Sequence, residues 1–332
     1  MKKSAVFLLF IIFQTAGFEI PSDHKMLADR ITSDILHSRF EKAVSRSDSA
    51  FVHDPQNAMA SVLHLVALGM RDVDFDSTVD TAAFLASFDR AKKAVSEYEK
   101  SNGVSSYSKM LQGFTLAIHA SFYLKTKEYF AAYGTGIDAI KLMKEARELD
   151  STNTEVNFFL GLYDYARGDL KKKLWWALFW FPGNKASGIR QLEQAAKSAS
   201  ITGTASRLAL CDIYLQQKKS PKSQALLNQL EKEIPQSRYL LWAKAKYHEE
   251  LEQYTEAAEV YGTLAASYEK EPLGFYNSIV TRNKQAHLYH EAGEKQLAKN
   301  ICKIVLERPA EKRTRALHKD TEKLLEKLND KS

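Results

Sequence analysis

The sequence predicts an all-α protein: a right-handed superhelical α-solenoid of paired helices, closed by a C-terminal capping helix. Residues at matching places in two successive helix pairs recur at an interval of 34 residues. Three such matches are Ser223 with Ala257, Leu227 with Tyr261, and Leu230 with Leu264. An interval of this length, built from two amphipathic helices, is typical of stacked helical repeats. The composition agrees, because helix-favouring residues dominate and the 332 residues include only 14 Gly and 7 Pro.

The first 17 residues predict a secretory signal of bacterial type. Lys2 and Lys3 form a short basic head, residues 5–13 are an unbroken apolar run, and Thr15-Ala16-Gly17 supplies small residues for cleavage. The apolar run is short for a membrane-spanning helix. We therefore expect an exported, periplasmic protein. The cleavage site lacks a strict Ala-x-Ala pattern, so an uncleaved N-terminal membrane anchor is the alternative.

Residues 18–133 predict helical repeats that fit the period poorly. Asp54-Pro55-Gln56-Asn57 is typical of a junction between repeats, since proline stops one helix and asparagine opens the next. An Asp-rich break at 71–80 precedes a long helix, which Asp76, Ser77 or Thr78 is expected to cap. Gly103 ends that helix. The break imitates a calcium loop but has Ser77 at the glycine place and Ala83 at the glutamate place, so we expect no calcium.

Residues 134–308 predict the regular repeats. They are interrupted by a surplus of about fifteen residues within 168–187, an aromatic insert. Residues 309–332 predict the cap, with a helix from Pro309 to Leu328 that has one apolar and one charged face. A helix of this kind can close the open end of a stack of repeats.

The chain resembles the tetratricopeptide repeat (TPR) superfamily over most of residues 18–332, most clearly from Val156 to Leu306. Gly161-Leu162-Tyr163, an insert ending in Pro182-Gly183, and residues 188–192 resemble the tetratricopeptide repeat protein 39 and inclusion-body-clearance subgroup. The resemblance implies a scaffold without catalytic activity or cofactor. It also implies that the first helix of each pair lines a concave groove that binds a protein or peptide segment.

The repeat register places a mixed aromatic and polar set of side chains on that groove. These partner-binding candidates are Phe158, Leu162, Tyr165, Leu208, Asp212, Leu215, Tyr239, Trp242, Lys246, Glu249, Asn283, His287 and His290. The alternative for each aromatic residue is packing against the neighbouring repeat.

The aromatic insert is the second candidate surface. Residues 171–182 combine three lysines with three of the four tryptophans of the chain. This pairing suits contact with a membrane interface or with a partner protein. The alternative is a lengthened helical corner with its rings packed inside. The aromatic residues concerned are Trp175, Trp176, Phe179, Trp180 and Phe181.

The sequence gives little support for a metal site, a disulfide, a catalytic motif or nucleic-acid binding. His287 and His290 share a helix face but have no evident third ligand, so we expect no metal. Cys211 and Cys302 fall at inward positions more than two repeats apart, which predicts two buried thiols. No phosphate-binding glycine loop or nucleophile elbow is present. The 47 basic and 41 acidic residues are interspersed, which argues against nucleic acid as a partner.

Overall fold

The computed structural model describes residues 22–76, 80–173, 184–198 and 200–330. Within these ranges it contains fifteen α-helices and no β-strand. The predicted all-α class of paired helices is confirmed over these residues. The aromatic residues Trp175–Phe181 of the predicted insert lie outside the described residues.

The chain divides into two compact units. The first contains Met1–Val73 and Thr78–Leu210, and the second contains Asp74–Ser77 and Cys211–Ser332. The first nine helices are α1 Ser22–Leu36, α2 Phe40–His53, α3 Ala58–Asp74, α4 Thr81–Asn102, α5 Ser106–Thr126, α6 Tyr129–Leu149, α7 Val156–Lys173, α8 Lys185–Ala195 and α9 Ile201–Gln216. The chain passes from the first unit to the second within α9, between Leu210 and Cys211. The second unit continues with α10 Ser220–Glu233, α11 Arg238–Glu250, α12 Tyr254–Glu269, α13 Phe275–Glu291, α14 Lys295–Leu306 and α15 Arg315–Asp330.

One turn geometry closes five of the described helix pairs. In each turn, one residue adopts a left-handed backbone conformation, and the next residue donates its N–H to the carbonyl five positions earlier at 2.7–2.9 Å. This is the Schellman motif, which satisfies carbonyls that a helix end leaves open. The left-handed residues are Ser38, Lys127, Lys218, Glu252 and Gly293. The accepting carbonyls belong to Asp34, Tyr123, Tyr214, His248 and Tyr289, so the last three occupy equivalent places, as the repeat register requires.

The residues that defined the 34-residue interval also form the core of the second unit. Ser223, Leu227, Leu230, Ala257, Tyr261 and Leu264 are all at most 3% exposed. The two members of each match lie buried on the second helices of two successive hairpins, α10 and α12. The interval therefore reflects equivalent packing as well as equal spacing.

In the first unit, α7 and α8 cross at two glycines. A Cβ added to Gly161 would lie 2.9 Å from the carbonyl oxygen of Gly188, and one added to Gly188 would lie 2.6 Å from that of Gly161. Neither distance leaves room for a side chain. Helices α7 and α8 therefore approach each other closely at Gly161 and Gly188.

Some predicted helix ends are wrong. The cap of α4 is Asp80, whose carboxylate accepts the Ala83 N–H at 3.0 Å, and not Asp76, Ser77 or Thr78. The last helix starts at Arg315 instead of Pro309. A turn precedes it, in which the Thr314 hydroxyl accepts the Glu311 N–H at 3.0 Å. Local hydrogen bonds of this kind compete with helix at its first residues.

Candidate protein-binding face

Two ion pairs and one histidine–carboxylate contact join the first helices of the second unit to one another and to α15. Asp212 of α9 pairs with Lys246 of α11. Glu249 of α11 pairs with Lys284 of α13 at 2.9 Å. His287 of α13 lies 2.7 Å from Asp320 of α15. We call these six residues the charge ladder.

The charges of the ladder stay in contact with water. The side chains of Lys284 and Glu249 are 44% and 29% exposed, and those of His287 and Asp320 are 40% and 50% exposed. Ion pairs at such exposure contribute roughly 0–1 kcal/mol each. The ladder can therefore exchange its internal partners for charges on another molecule at little cost in stability.

The immediate surroundings shift two of the ladder pKa values. Burial lowers the pKa of Lys246, against the opposing effect of Glu250 and Glu249. The hydrogen bond from the Asn283 amide lowers the pKa of Asp320, and the bond from His287 acts in the same direction. The Asp320 carboxylate is thus stabilised as a hydrogen-bond acceptor for Asn283 and His287, two side chains of α13.

Trp242 connects the ladder to the aromatic core of the second unit. Its indole N–H donates to the Tyr268 hydroxyl at 3.0 Å, and its ring meets Tyr261 edge-on at 5.6 Å. The Tyr261 hydroxyl donates to Glu249 of the ladder. Burial, followed by the nearby Glu249, raises the pKa of Tyr261, which stays a neutral donor. Trp242 is half-buried, so part of its ring faces outward beside the charges.

The predicted groove residues separate into two groups. The half-buried ones keep surface available for a partner: Leu162, Tyr165, Asp212, Trp242, Lys246, Glu249, His287 and His290. The others are at most 7% exposed and serve the interior: Phe158, Leu208, Leu215, Tyr239 and Asn283. Their burial leaves them little surface for a partner in this structure. Their rings and chains pack against the neighbouring helices, and the Asn283 amide donates to Asp320 and Thr321.

The sequence reasoning missed Lys284 and Asp320. The sequence does contain a signal for Lys284, because opposite charges recur at close to the repeat interval. Asp212 and Lys246 are 34 positions apart, and Glu249 and Lys284 are 35 apart. Opposite charges at equivalent positions of adjacent repeats predict ion pairs between them.

A second polar site in this unit surrounds residues Asp74–Asp76. The Asp74 carboxylate accepts from Arg238 Nε at 2.7 Å and lies 3.1 Å from the Tyr268 hydroxyl. The Asp74 carbonyl oxygen accepts from the Asn277 amide at 3.0 Å. We call Arg238, Tyr268, Asn277 and Arg313 the clamp.

Aromatic contacts complete the clamp. The Arg238 guanidinium lies 5.0 Å from the ring centres of both Phe75 and Tyr268, and these two rings meet edge-on at 6.1 Å. Burial opposes the charge on Arg238, but Asp74 and then Tyr268 and Glu271 raise its pKa. Arg313 donates to the Asp76 carbonyl oxygen at 2.6 Å and pairs with its carboxylate at 3.1 Å.

In the first unit, Asp48, His64 and Ser87 form a line that imitates a catalytic triad. His64 Nε2 lies 3.2 Å from the Asp48 carboxylate, and its Nδ1 lies 2.7 Å from the Ser87 hydroxyl. Ser87 is only 3% exposed and sits in the middle of α4, where neighbouring backbone N–H groups are used by the helix. A buried hydroxyl without free N–H donors beside it does not fit nucleophilic catalysis. The line joins α2, α3 and α4 instead.

Metal-binding clusters and cysteine thiols are two further kinds of candidate site. No group of three or more His, Cys, Asp or Glu side chains among residues 22–76, 80–173, 184–198 and 200–330 could hold a metal. Cys211 and Cys302 are buried and unpaired, as predicted, and burial raises their pKa values to about 12 and about 11. Such thiols stay protonated and unreactive near neutral pH.

Comparison with known proteins finds likenesses among solved structures. No protein-family model matches the chain, and no curated protein matches it. Among solved structures, the chain is similar to the C-terminal part of a TPR repeat-containing protein from Cytophaga hutchinsonii. The two are 14% identical with a TM-score of 0.43, and the match covers 89% of this chain and 98% of that one. Over the described residues, no helix has the length and apolar character needed to cross a membrane.

Proposed function

We propose that the protein is an exported, non-catalytic scaffold that binds a protein segment along the charge ladder and Trp242. The observation that carries this proposal is the alignment of partly exposed polar and charged side chains on α9, α11, α13 and α15, at close to the repeat interval. Directly packed helix axes lie 8–10 Å apart, so a ladder across four helices spans roughly 25–30 Å. An extended segment of about eight residues has that length.

The chemistry of the ladder indicates the kind of segment it accepts. Both signs of charge alternate along it, and Trp242 adds a partly exposed aromatic ring. A segment of alternating charge with one apolar anchor complements such a face. A strongly acidic or strongly basic segment would meet like charges at every second position.

The test is capture from native cells with the tagged full-length chain. We expect proteins that bind the wild type to be lost from the variant W242A/K246A/K284A. The matched control is K232A/K270A, which removes two exposed lysines, one in α10 and one directly after the end of α12, and should capture normally. Helical circular dichroism must stay unchanged in both. Equal capture by the ladder variant and the wild type would refute this face as the binding site.

Export has its own test. The proposal expects the chain in the periplasm, with an N-terminus near residue 18. Cell fractionation followed by mass measurement of the purified chain separates a cleaved signal from an uncleaved membrane anchor. A full-length chain recovered in the cytoplasm would remove export from the proposal.

Peripheral membrane association is the second candidate function. The observation in its favour is an aromatic surface at the start of α6, where Tyr129, Phe130 and Tyr133 are 63%, 97% and 67% exposed beside the exposed Lys127. Exposed aromatic residues next to lysine suit the headgroup region of a bilayer. The Trp-rich residues 171–182 give the same indication from sequence.

Liposome flotation tests this second function. Binding to anionic vesicles that is lost in F130A/Y133A would assign contact to α6. Loss only in W175A/W176A/W180A would assign it to the insert. A wild-type chain that stays at the bottom of the gradient would refute membrane association.

A further inference from the structure

The second unit holds Asp74–Asp76 in the way a receptor holds a peptide. Three clamp residues reach main-chain carbonyls: Asn277 and Tyr268 that of Asp74, and Arg313 that of Asp76. The clamp residues lie 164 to 237 positions away from this segment in sequence. Main-chain bonds of this kind fix the course of a segment, while side-chain pockets select its residues.

Each side chain of the segment meets a matching group. Asp74 and Phe75 are both 5% exposed, the first against Arg238 and the second against Arg238 and Tyr268. A segment without this carboxylate would leave the buried guanidinium of Arg238 without its main counter-charge, which is strongly unfavourable. The clamp therefore selects an acidic residue followed by an aromatic one.

The end of the segment is more open and is strained. The side chains of Asp76 and Arg313 are 48% and 41% exposed, so a competing segment can displace this end first. Asp76 also adopts a left-handed backbone with a φ of 47°, which is unfavourable for a residue with a side chain. A separate peptide of the same sequence is not tied to α3 and does not need to adopt this conformation.

We propose that the clamp is a receptor site for an Asp-aromatic-Asp segment of a partner protein, and that Asp74–Asp76 is the chain's own copy of that ligand. This inference rests on the proposed function, since it assumes that the chain binds protein segments. It adds a second contact point and states the chemistry of the segment bound there. Partner binding then requires release of the internal copy, which keeps the clamp closed to weak competitors.

The probe is a fluorescent, end-blocked peptide of residues 71–76, Arg-Asp-Val-Asp-Phe-Asp, titrated with purified full chain and followed by anisotropy. The variant D74A/F75A vacates the clamp and should bind the peptide at least tenfold more tightly than the wild type. Adding R238A to that variant should abolish binding. A scrambled peptide of the same composition controls for attraction between an acidic peptide and basic surface residues.

Two further variants keep the test decisive. If D74A/F75A loses its helical circular dichroism, D74N/F75A is used, in which the asparagine removes the counter-charge of Arg238 but still offers it a hydrogen-bond acceptor. Equal binding of the peptide to the folded variant and the wild type, or equal binding of the scrambled peptide, would overturn the inference. The ladder variant K246A/K284A, made in the vacated chain, should bind the peptide unchanged. Failure of the peptide alone, with capture still dependent on the ladder, refutes this inference and leaves the proposed function standing.

Discussion

The Arg238–Asp74 pair and the Lys284–Glu249 pair of the second unit join similar groups at similar distances, 2.7 Å and 2.9 Å. They differ in their contact with water. The side chains of the first pair are 5% and 3% exposed, and those of the second are 44% and 29% exposed. A buried charge depends on its partner because water cannot replace it, whereas an exposed charge loses little when its partner leaves. If the two proposals hold, this difference means that the clamp selects one ligand and the ladder accepts several.

The largest expected effect is that of R238A. It leaves the Asp74 carboxylate buried without its cation, and breaking a buried pair in this way costs about 3–5 kcal/mol of unfolding free energy. Urea unfolding followed by circular dichroism measures it. The double variant R238M/D74M should recover much of the loss, because it removes both charges and keeps the volume. A loss below about 1 kcal/mol in R238A would show that the pair is not buried in solution and would break the comparison.

The next effect concerns a third polar network, that of the buried His64 in the first unit. Burial, followed by Arg90, lowers its pKa from 6.5 to about 4, although the nearby Asp48 opposes the shift. The unfolded chain therefore binds a proton more readily, and stability falls as pH falls from about 6.5 towards 4. The loss is on the order of 3 kcal/mol for a shift of this size.

Comparison with H64N isolates this effect, since asparagine does not titrate. The difference in unfolding free energy between wild type and H64N should change with pH between 7 and 4 and be constant above pH 7.5. A difference that is constant over the whole range would show that folding leaves the pKa of His64 unchanged.

The smallest effect is expected for K284A. Removing one cation of the ladder should cost at most about 1 kcal/mol, and the cost should shrink further in 0.5 M salt, because exposed charges are screened. A double-mutant cycle with E249Q gives the coupling energy of the pair. A coupling above about 2 kcal/mol that is insensitive to salt would place the ladder in the same class as the clamp.

The sequence predicted the repeat architecture because its interval follows from local packing. Ser223 and Ala257 stand at equivalent buried places, and the turns after Tyr214, His248 and Tyr289 are equivalent. The interval also located Asp212 and Lys246 on one face. It could not decide whether Tyr239 or Phe158 points outward, because that depends on how closely the adjacent helices approach.

The clamp could not be predicted from local patterns. Asp74 meets Arg238, Tyr268 and Asn277 across more than 160 positions, and no period relates these residues. From the sequence, the Asp-rich break predicts only a helix cap, and it resembles a calcium loop without fitting one. Contacts over such separations are set by the tertiary fold, which a single sequence does not display.

The Schellman turns explain how a repeat of this kind can lose its recognisable signature. The motif is made of main-chain N–H and carbonyl groups, and its left-handed position is filled by serine, lysine, glutamate or glycine in different hairpins of this chain. Substitution at that position leaves the bonds that define the turn intact. A turn of this kind can keep its main-chain geometry while its residues change. Sequence comparison can then fail to detect the repeat although the architecture is preserved.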